Sequence, residues 1–254
     1  LRVDIRAFRS LLAFLRPLLH QERYFSMQEG LRKLSQKFAY LRELDVLEEE
    51  LAKLLSVHPE LEGDAAPLRN VLREERAAEQ SAVSKKTTEA ISPFLLDLFV
   101  WLNRSREEIC GEDGLYGKSG SEEPSFEEYA NQRYALWRKK YTVSFRKTDF
   151  TSLPAIHALR IRFKKLRYVL ACLNPLLSLE DDTTLEDIRL VQDFLGTVCD
   201  SGRNRTILKE LNEKYNQAAL YYGSGILNGH QIRFSDERLN MLKKYKIGKR
   251  GIAK

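Results

Sequence analysis

Apolar residues recur along most of this chain at i, i+3, i+4 and i+7, the period of a helix with one buried face. In the stretch IHALRIRFKKLRY (156–168), Leu159, Phe163 and Leu166 share a face with Leu170, while His157, Arg160, Lys164 and Arg167 form a stripe along its border. Arg162 and Lys165 point away from both. The opening segment repeats the arrangement, with Leu11, Leu12, Leu15 and Leu19 inward and Arg2, Arg6, Arg9 and Arg16 beside them. The same period predicts helices over 1–20, 26–56, 66–105, 125–147, 152–178, 183–199, 203–222 and 234–246. Breakers fit those bounds: Pro59, Gly63, GEDGLYGKSGSEEPS (111–125), Pro154 in a first turn, and YGSGILNGH (222–230). The 111–125 stretch reads as a mobile loop. No strand–turn–strand pattern competes, so the expected fold class is all-α.

The two basic helices align residue by residue. RVDIRAFR (2–9) matches RIRFKKLR (160–167), pairing Arg2 with Arg160, Arg6 with Lys164 and Arg9 with Arg167. Val3/Ile161, Ile5/Phe163 and Phe8/Leu166 match as apolar positions. A second pair follows, FAYLRELDVL (38–47) and LGTVCDSGRN (195–204), with Glu43 opposite Asp200. Arg2 to Glu43 is 41 residues and Arg160 to Asp200 is 40. Two blocks in the same order predict a duplication: two pseudo-symmetric antiparallel helical bundles, about 1–150 and about 151–254, with a seam near 148–155. Packed pseudo-symmetrically, they bring the basic stripes together across a central cleft or channel.

Charge sharpens the question these stripes raise. The 254 residues carry a net charge of +6 with 31% charged and 43% hydrophobic residues, enough apolar content for a packed core. Like charges at i, i+4, such as Arg2/Arg6 and Arg160/Lys164, destabilise a helix by about 0.2–0.5 kcal/mol per pair. No acid stands at a compensating position within either stripe, whereas RELDVLEEELAKL shows the mixture of a solvated face. Three readings stay open here: snorkelling surface cations, internal ion pairs with Glu43, Asp45 and Asp200 supporting the arginines from behind, or a polyanion ligand.

These blocks resemble the CHAD family, the conserved histidine α-helical domain. HALRIRFKKLRY (157–168) follows its H-x-L-R-I-x-x-K-R-L-R-Y pattern through His157, Arg160, Lys164, Lys165, Arg167 and Tyr168. RVDIRAFR keeps Arg2, Arg6 and Arg9 of the first block. FAYLRELDVL keeps Arg42, Asp45 and Val46, and LGTVCD keeps Gly196 and Asp200. Ala7, Ala39 and Glu43 depart from the pattern, and its first histidine would stand before residue 1. The resemblance covers nearly the whole chain, read as a single CHAD domain over 1–254. It implies paired four-helix bundles around a basic channel that binds inorganic polyphosphate, a cytoplasmic setting, and in some members association with polyphosphate granules or fusion to triphosphatase-type domains. The polyphosphate-binding set it implies is Arg2, Arg6, Arg9, Arg160, Lys164 and Arg167, with His157, Arg42 and Lys165 assisting. WRKKY (137–141) and RNR (203–205) are candidates to extend the track.

Other functions find less support. A metal-dependent enzyme acting on phosphoanhydrides needs clustered carboxylates, and Glu43, Asp45 and Asp200 form no recognisable metal motif; no Gly-rich phosphate loop is present either. An RNA-binding helical protein is permitted by charge, but no nucleic-acid motif is present and few aromatics interleave the stripes. His20, His58, His157 and His230 lack i, i+4 spacing, so no metal site and no cofactor are expected. Cys110, Cys172 and Cys199 have no CxxC spacing and read as structural thiols of a reducing compartment. Trp101, Trp137, Tyr134 and Tyr141 read as core or seam anchors, and KKYKIGKRGIAK (243–254) as a solvated basic tail. No apolar run approaches a membrane span.

Overall fold

The structure is a computed structural model that describes residues 2–105, 108–109, 125–177 and 183–245. Among them the chain is all-α, with no strand. In order the helices are α1 (Arg2–Leu15), α2 (Gln21–Lys37), α3 (Ala39–Val57), α4 (Glu62–Leu102), α5 (Phe126–Lys147), α6 (Leu153–Leu173), α7 (Thr183–Tyr215) and α8 (Ala218–Lys244). Short 3-10 turns follow α1 at Arg16–Leu18, α3 at Pro59–Leu61 and α6 at Asn174–Leu176. The segment read as a mobile loop lies outside the described residues except for Ser125, as does most of the basic tail.

The chain divides into two compact units. Unit 1 is Leu1–Phe38, Lys85–Lys147 and Ile161–Ile188; unit 2 is Ala39–Ser84, Thr148–Arg160 and Arg189–Lys254. Each unit therefore takes segments from both halves of the sequence, and α4, α6 and α7 contribute residues to both.

Unit 2 is built on a leucine core. Leu44, Leu47, Leu51 and Leu54 of α3 recur at helical spacing and pack with Leu68 and Leu72 of α4, Ile207, Leu208 and Leu211 of α7, and Leu220 and Leu227 of α8. Unit 1 gathers Ile5, Leu12, Leu19, Tyr24, Met27, Leu31, Leu34 and Trp101. It also carries an aromatic ladder: Phe14 meets Trp137 edge-on at 5.3 Å, Trp137 meets Tyr141 at 5.6 Å, and Tyr141 meets Phe163 at 6.5 Å. Trp101, Tyr134 and Tyr141 are buried, so these side chains serve as core anchors.

The repeat read from sequence has a local structural counterpart. Both basic helices end in a 3-10 turn with a proline at its start, Pro17 and Pro175, and both turns close through a backbone N–H to the third carbonyl back, Leu19 to Arg16 and Leu177 to Asn174. Pro17 and Pro175 stand as far apart in sequence as Arg2 and Arg160, so LRPLL and LNPLL extend the repeated block. Burial repeats as well. Ile5 and Phe163 are buried, as are Leu12 and Leu170, and Leu19 and Leu177, whereas the aligned Val3 and Ile161 both face outward at 61% and 43% exposure. Leu11 and Leu15, read as inward, are half-buried.

Several expected boundaries differ; the helix expected over 203–222, for one, is broken at Asn216 and Gln217, between α7 and α8. The helix expected over 26–56 is interrupted at Phe38, where no Gly or Pro breaks it; the Phe38 carbonyl instead accepts a hydrogen bond from the Arg2 guanidinium. The gap expected between 199 and 203 is helical, inside α7. YGSGILNGH, read as a breaker, lies within α8. Its Gly223 suits close packing: a Cβ there would stand 3.0 Å from the Asp64 carbonyl oxygen and 3.3 Å from Leu68 Cβ, so α8 approaches α4 more tightly than most side chains are found to allow.

Candidate functional site

The first basic block lies in unit 1. Helical spacing places Arg2, Arg6 and Arg9 on the border of the Ile5–Leu12 face, and all three are half-buried. Arg2 is committed to the Phe38 carbonyl. Arg9 is fixed by a reciprocal pair with α2: its Nε donates to Gln28 Oε1 at 3.1 Å, and Gln28 Nε2 donates to the Arg9 carbonyl at 2.8 Å. Burial pushes the Arg9 guanidinium below its ordinary value, and the Arg32 charge lowers it further.

Unit 1 also contains the last part of the second block. Lys164 and Arg167 are half-buried, and Arg167 lies 5.3 Å from the centre of the Tyr168 ring. Lys165, expected to point away from the stripe, is exposed, and the Arg9 charge acts on it. Desolvation by surrounding protein atoms lowers its proton affinity first and the Arg9 charge adds to it, although the residue as a whole is exposed. The wheel projection of a single helix misses this because it cannot say which neighbour stands outside. Among the described residues, Arg6, Arg9, Lys165 and Arg167 have no carboxylate at ion-pair distance.

The remaining candidates lie in unit 2, and there arginines are matched with acids. Arg160 grips Asp200 through both ends of its guanidinium, at 2.9 and 3.0 Å. Arg42 pairs with Glu49 at 2.7 Å, and that hydrogen bond holds its guanidinium above the ordinary value despite partial burial. Glu43 and Asp45 pair with a suggested track extension and with a residue not singled out in the sequence: Arg203 donates to both Glu43 oxygens at 3.0 and 2.9 Å, and Arg76 to Asp45 at 2.8 Å. His157 is exposed at the start of α6. Of the suggested track extensions, Arg138, Lys139 and Lys140 are exposed on α5, while Arg203 is held by Glu43 and Arg205 is exposed.

Several participants were not legible in advance. Gln28, Glu29, Arg32 and Lys33 of α2 look in sequence like any solvated mixture of charges, and only the pairing of α2 with α1 gives them meaning. Arg32 holds both Glu29 oxygens through its Nε and Nη2, at 2.7 and 2.6 Å, and Lys33 stands 3.9 Å from the same carboxylate. His230 lies well inside α8 rather than near a helix end, its ring 6.5 Å from that of His58, and burial followed by the His58 charge pushes it below the ordinary histidine value. Cys172 is exposed and Cys199 buried, both as free thiols. Among the described residues no three His, Cys, Asp or Glu side chains group as a metal site, and no helix is long and apolar enough to cross a membrane.

A search of curated proteins finds no match. A family model does match, the CHAD domain, and it covers residues 1–209, which include both basic blocks, both acidic blocks and the paired proline turns. On that match, the chain belongs to the CHAD domain family.

Proposed function

We propose that this chain binds inorganic polyphosphate through the cations of its two repeated blocks, as a targeting or regulatory module without catalysis of its own. The observation that carries this reading is the set Arg6, Arg9, Lys165 and Arg167 in unit 1, cations with no carboxylate at ion-pair distance among the described residues. Lys165 is driven toward its neutral form by crowding and by Arg9, a cost that an external anion offsets. Guanidinium forks suit phosphate oxygens, and lysine adds point charge. A polymer of phosphates offers charge and no bases, which fits a site of cations without stacking platforms. Arg2, Arg42, His157, Arg160 and Lys164 belong to the same proposed binding set. A cytoplasmic, granule-associated location belongs to the same proposal.

Titration of the purified chain with polyphosphate across a salt series tests it. Affinity falls steeply as salt rises, by analogy with single-stranded nucleic acid, for which each neutralised phosphate adds about 0.7 to the log–log slope. Arg6→Ala and Arg160→Ala each weaken binding and flatten the slope; loss in only one of them counts against binding through both blocks. An equal preference for RNA at matched phosphate concentration, or turnover of polyphosphate with Mg²⁺ or Mn²⁺, overturns the reading.

A further inference from the structure

We propose that Glu29 is a resident counter-ion of the anion site: it occupies the Arg32 fork beside Arg9 and is displaced when polyphosphate binds, which adds Arg32 and Lys33 of α2 to the binding surface. This rests on the polyphosphate reading above, and it concerns residues that neither repeated block contains.

The geometry points to a latch that is well shaped but weak. Both Glu29 oxygens face the Arg32 guanidinium, at 2.6 and 2.7 Å, the two-pronged grip that a phosphate also satisfies. Three cations surround the one carboxylate. Arg32 holds its proton affinity down most strongly, and Lys33 and Arg9 contribute through charge. Arg9 is itself locked in place by Gln28, the residue next to Glu29, so the cluster is positioned rather than loosely gathered. The Arg32 charge acts on Arg9 and the Arg9 charge on Lys165, so Arg9 of α1 stands within charge range of one cation on α2 and one on α6, all within unit 1.

The pair is also easily exchanged. Arg32 and Glu29 are both exposed on one helix three residues apart, and such pairs contribute little because water competes for both partners. Replacing Glu29 by a phosphate oxygen costs little and gains a polymer with many further charges. Asp200 differs: it holds an Arg160 side chain that is only 15% exposed, so its release would strand a largely desolvated charge. The two acids therefore play separate parts, Asp200 supporting its arginine and Glu29 holding the place of the ligand.

The test is polyphosphate titration of Glu29→Gln over a salt series, with Arg32→Gln, the double variant and Glu213→Gln alongside. Glu213 is an exposed acid paired with Lys209 on α7 in unit 2, and it controls for the loss of one negative charge. Glu29→Gln should bind about two- to fivefold more tightly, the range of an exposed ion pair removed as competitor, with a log–log salt slope steeper by about 0.7. Glu213→Gln should leave both unchanged, Arg32→Gln should weaken binding, and the double variant should show no gain over Arg32→Gln. If the native chain binds with a steep salt slope and Glu29→Gln changes neither affinity nor slope, or if the gain persists in the double variant, the counter-ion role is overturned while the polyphosphate reading stands. If the native chain shows no salt-dependent binding, the polyphosphate reading itself fails.

Discussion

Arg160 and Asp200 form a two-pronged ion pair, 2.9 and 3.0 Å, that joins the second basic block to the second acidic block within unit 2. The arginine side chain is 15% exposed and the aspartate 39%. Removing one partner of a fully buried pair costs about 3–5 kcal/mol, whereas an exposed pair is worth about 0–1. Asp200→Asn should therefore cost about 1–2 kcal/mol, lowering Tm by a few degrees. Arg6→Ala, with no acid to strand, should leave Tm close to native while weakening polyphosphate binding. Thermal melts of both variants check the contrast, and equal Tm losses would refute the difference between an arginine held by an acid and one with no carboxylate at ion-pair distance.

Lys165 predicts a trade between stability and binding. Its charge is resisted by crowding and by Arg9, so Lys165→Gln should stabilise the fold modestly, about 0.2–0.5 kcal/mol as for a like-charge helix pair, while weakening polyphosphate binding. Binding should also take up protons. The free lysine sits below its usual range and an anion raises it again, so between those two values complex formation protonates Lys165. Calorimetry in buffers of different ionisation enthalpy measures that uptake, and the uptake should disappear in Lys165→Gln.

Glycines of α8 should respond in opposite directions. Gly223→Ala places a Cβ 3.0 Å from a backbone carbonyl of α4, which cannot move aside cheaply, and should destabilise by about 1–3 kcal/mol despite the better helix propensity of alanine. At Gly225 a Cβ meets nothing within 4 Å, so Gly225→Ala should stabilise by about 0.5–1 kcal/mol. Urea titration of the two variants distinguishes a close helix contact from ordinary glycine flexibility.

Glu75 gives unit 2 a pH range. Burial alone would raise its proton affinity, but hydrogen bonds from Lys214 and Tyr215, the Lys214 charge and the Tyr40 hydroxyl outweigh that and hold it below the ordinary glutamate value. A carboxylate lowered on folding gives stability that is complete above its unfolded value, about 4.3, and is lost as pH falls through the folded value. The tyrosines carry the opposite sign. Tyr40, mainly by burial, and Tyr215, mainly by its bond to Glu75, are pushed up to about 12, so their contribution is complete below about 10 and lost as pH rises toward 12. Glu75→Gln should cost about 2 kcal/mol at neutral pH and reduce the acid-side loss, read from urea midpoints against pH.

Much of this was legible in the order of residues. The buried faces of α1 and α6 follow from Ile5, Leu12, Leu159, Phe163, Leu166 and Leu170, because apolar spacing fixes which side of a helix leaves water. The paired blocks were visible as text, and the proline turns at Pro17 and Pro175 extend them in structure. Other features were not visible because they depend on which helix stands beside which. The interruption at Phe38 carries no breaker and is met by Arg2 from another helix. Gly223 resembles a loop glycine until α4 is seen against it. Spacing along the chain leaves open whether Glu43 and Asp45 stand behind the candidate arginines, and only the fold shows Arg203 and Arg76 holding them.

The sequence by itself determined the helices, their buried faces, the basic stripes and the family, since each depends on short-range spacing along one chain. Tertiary structure alone decided which cations meet acids and which do not. Neutralisation falls off within a few ångströms, so Arg160 is answered by Asp200 from a neighbouring helix, while Arg6, Arg9, Lys165 and Arg167 have no carboxylate at ion-pair distance among the described residues.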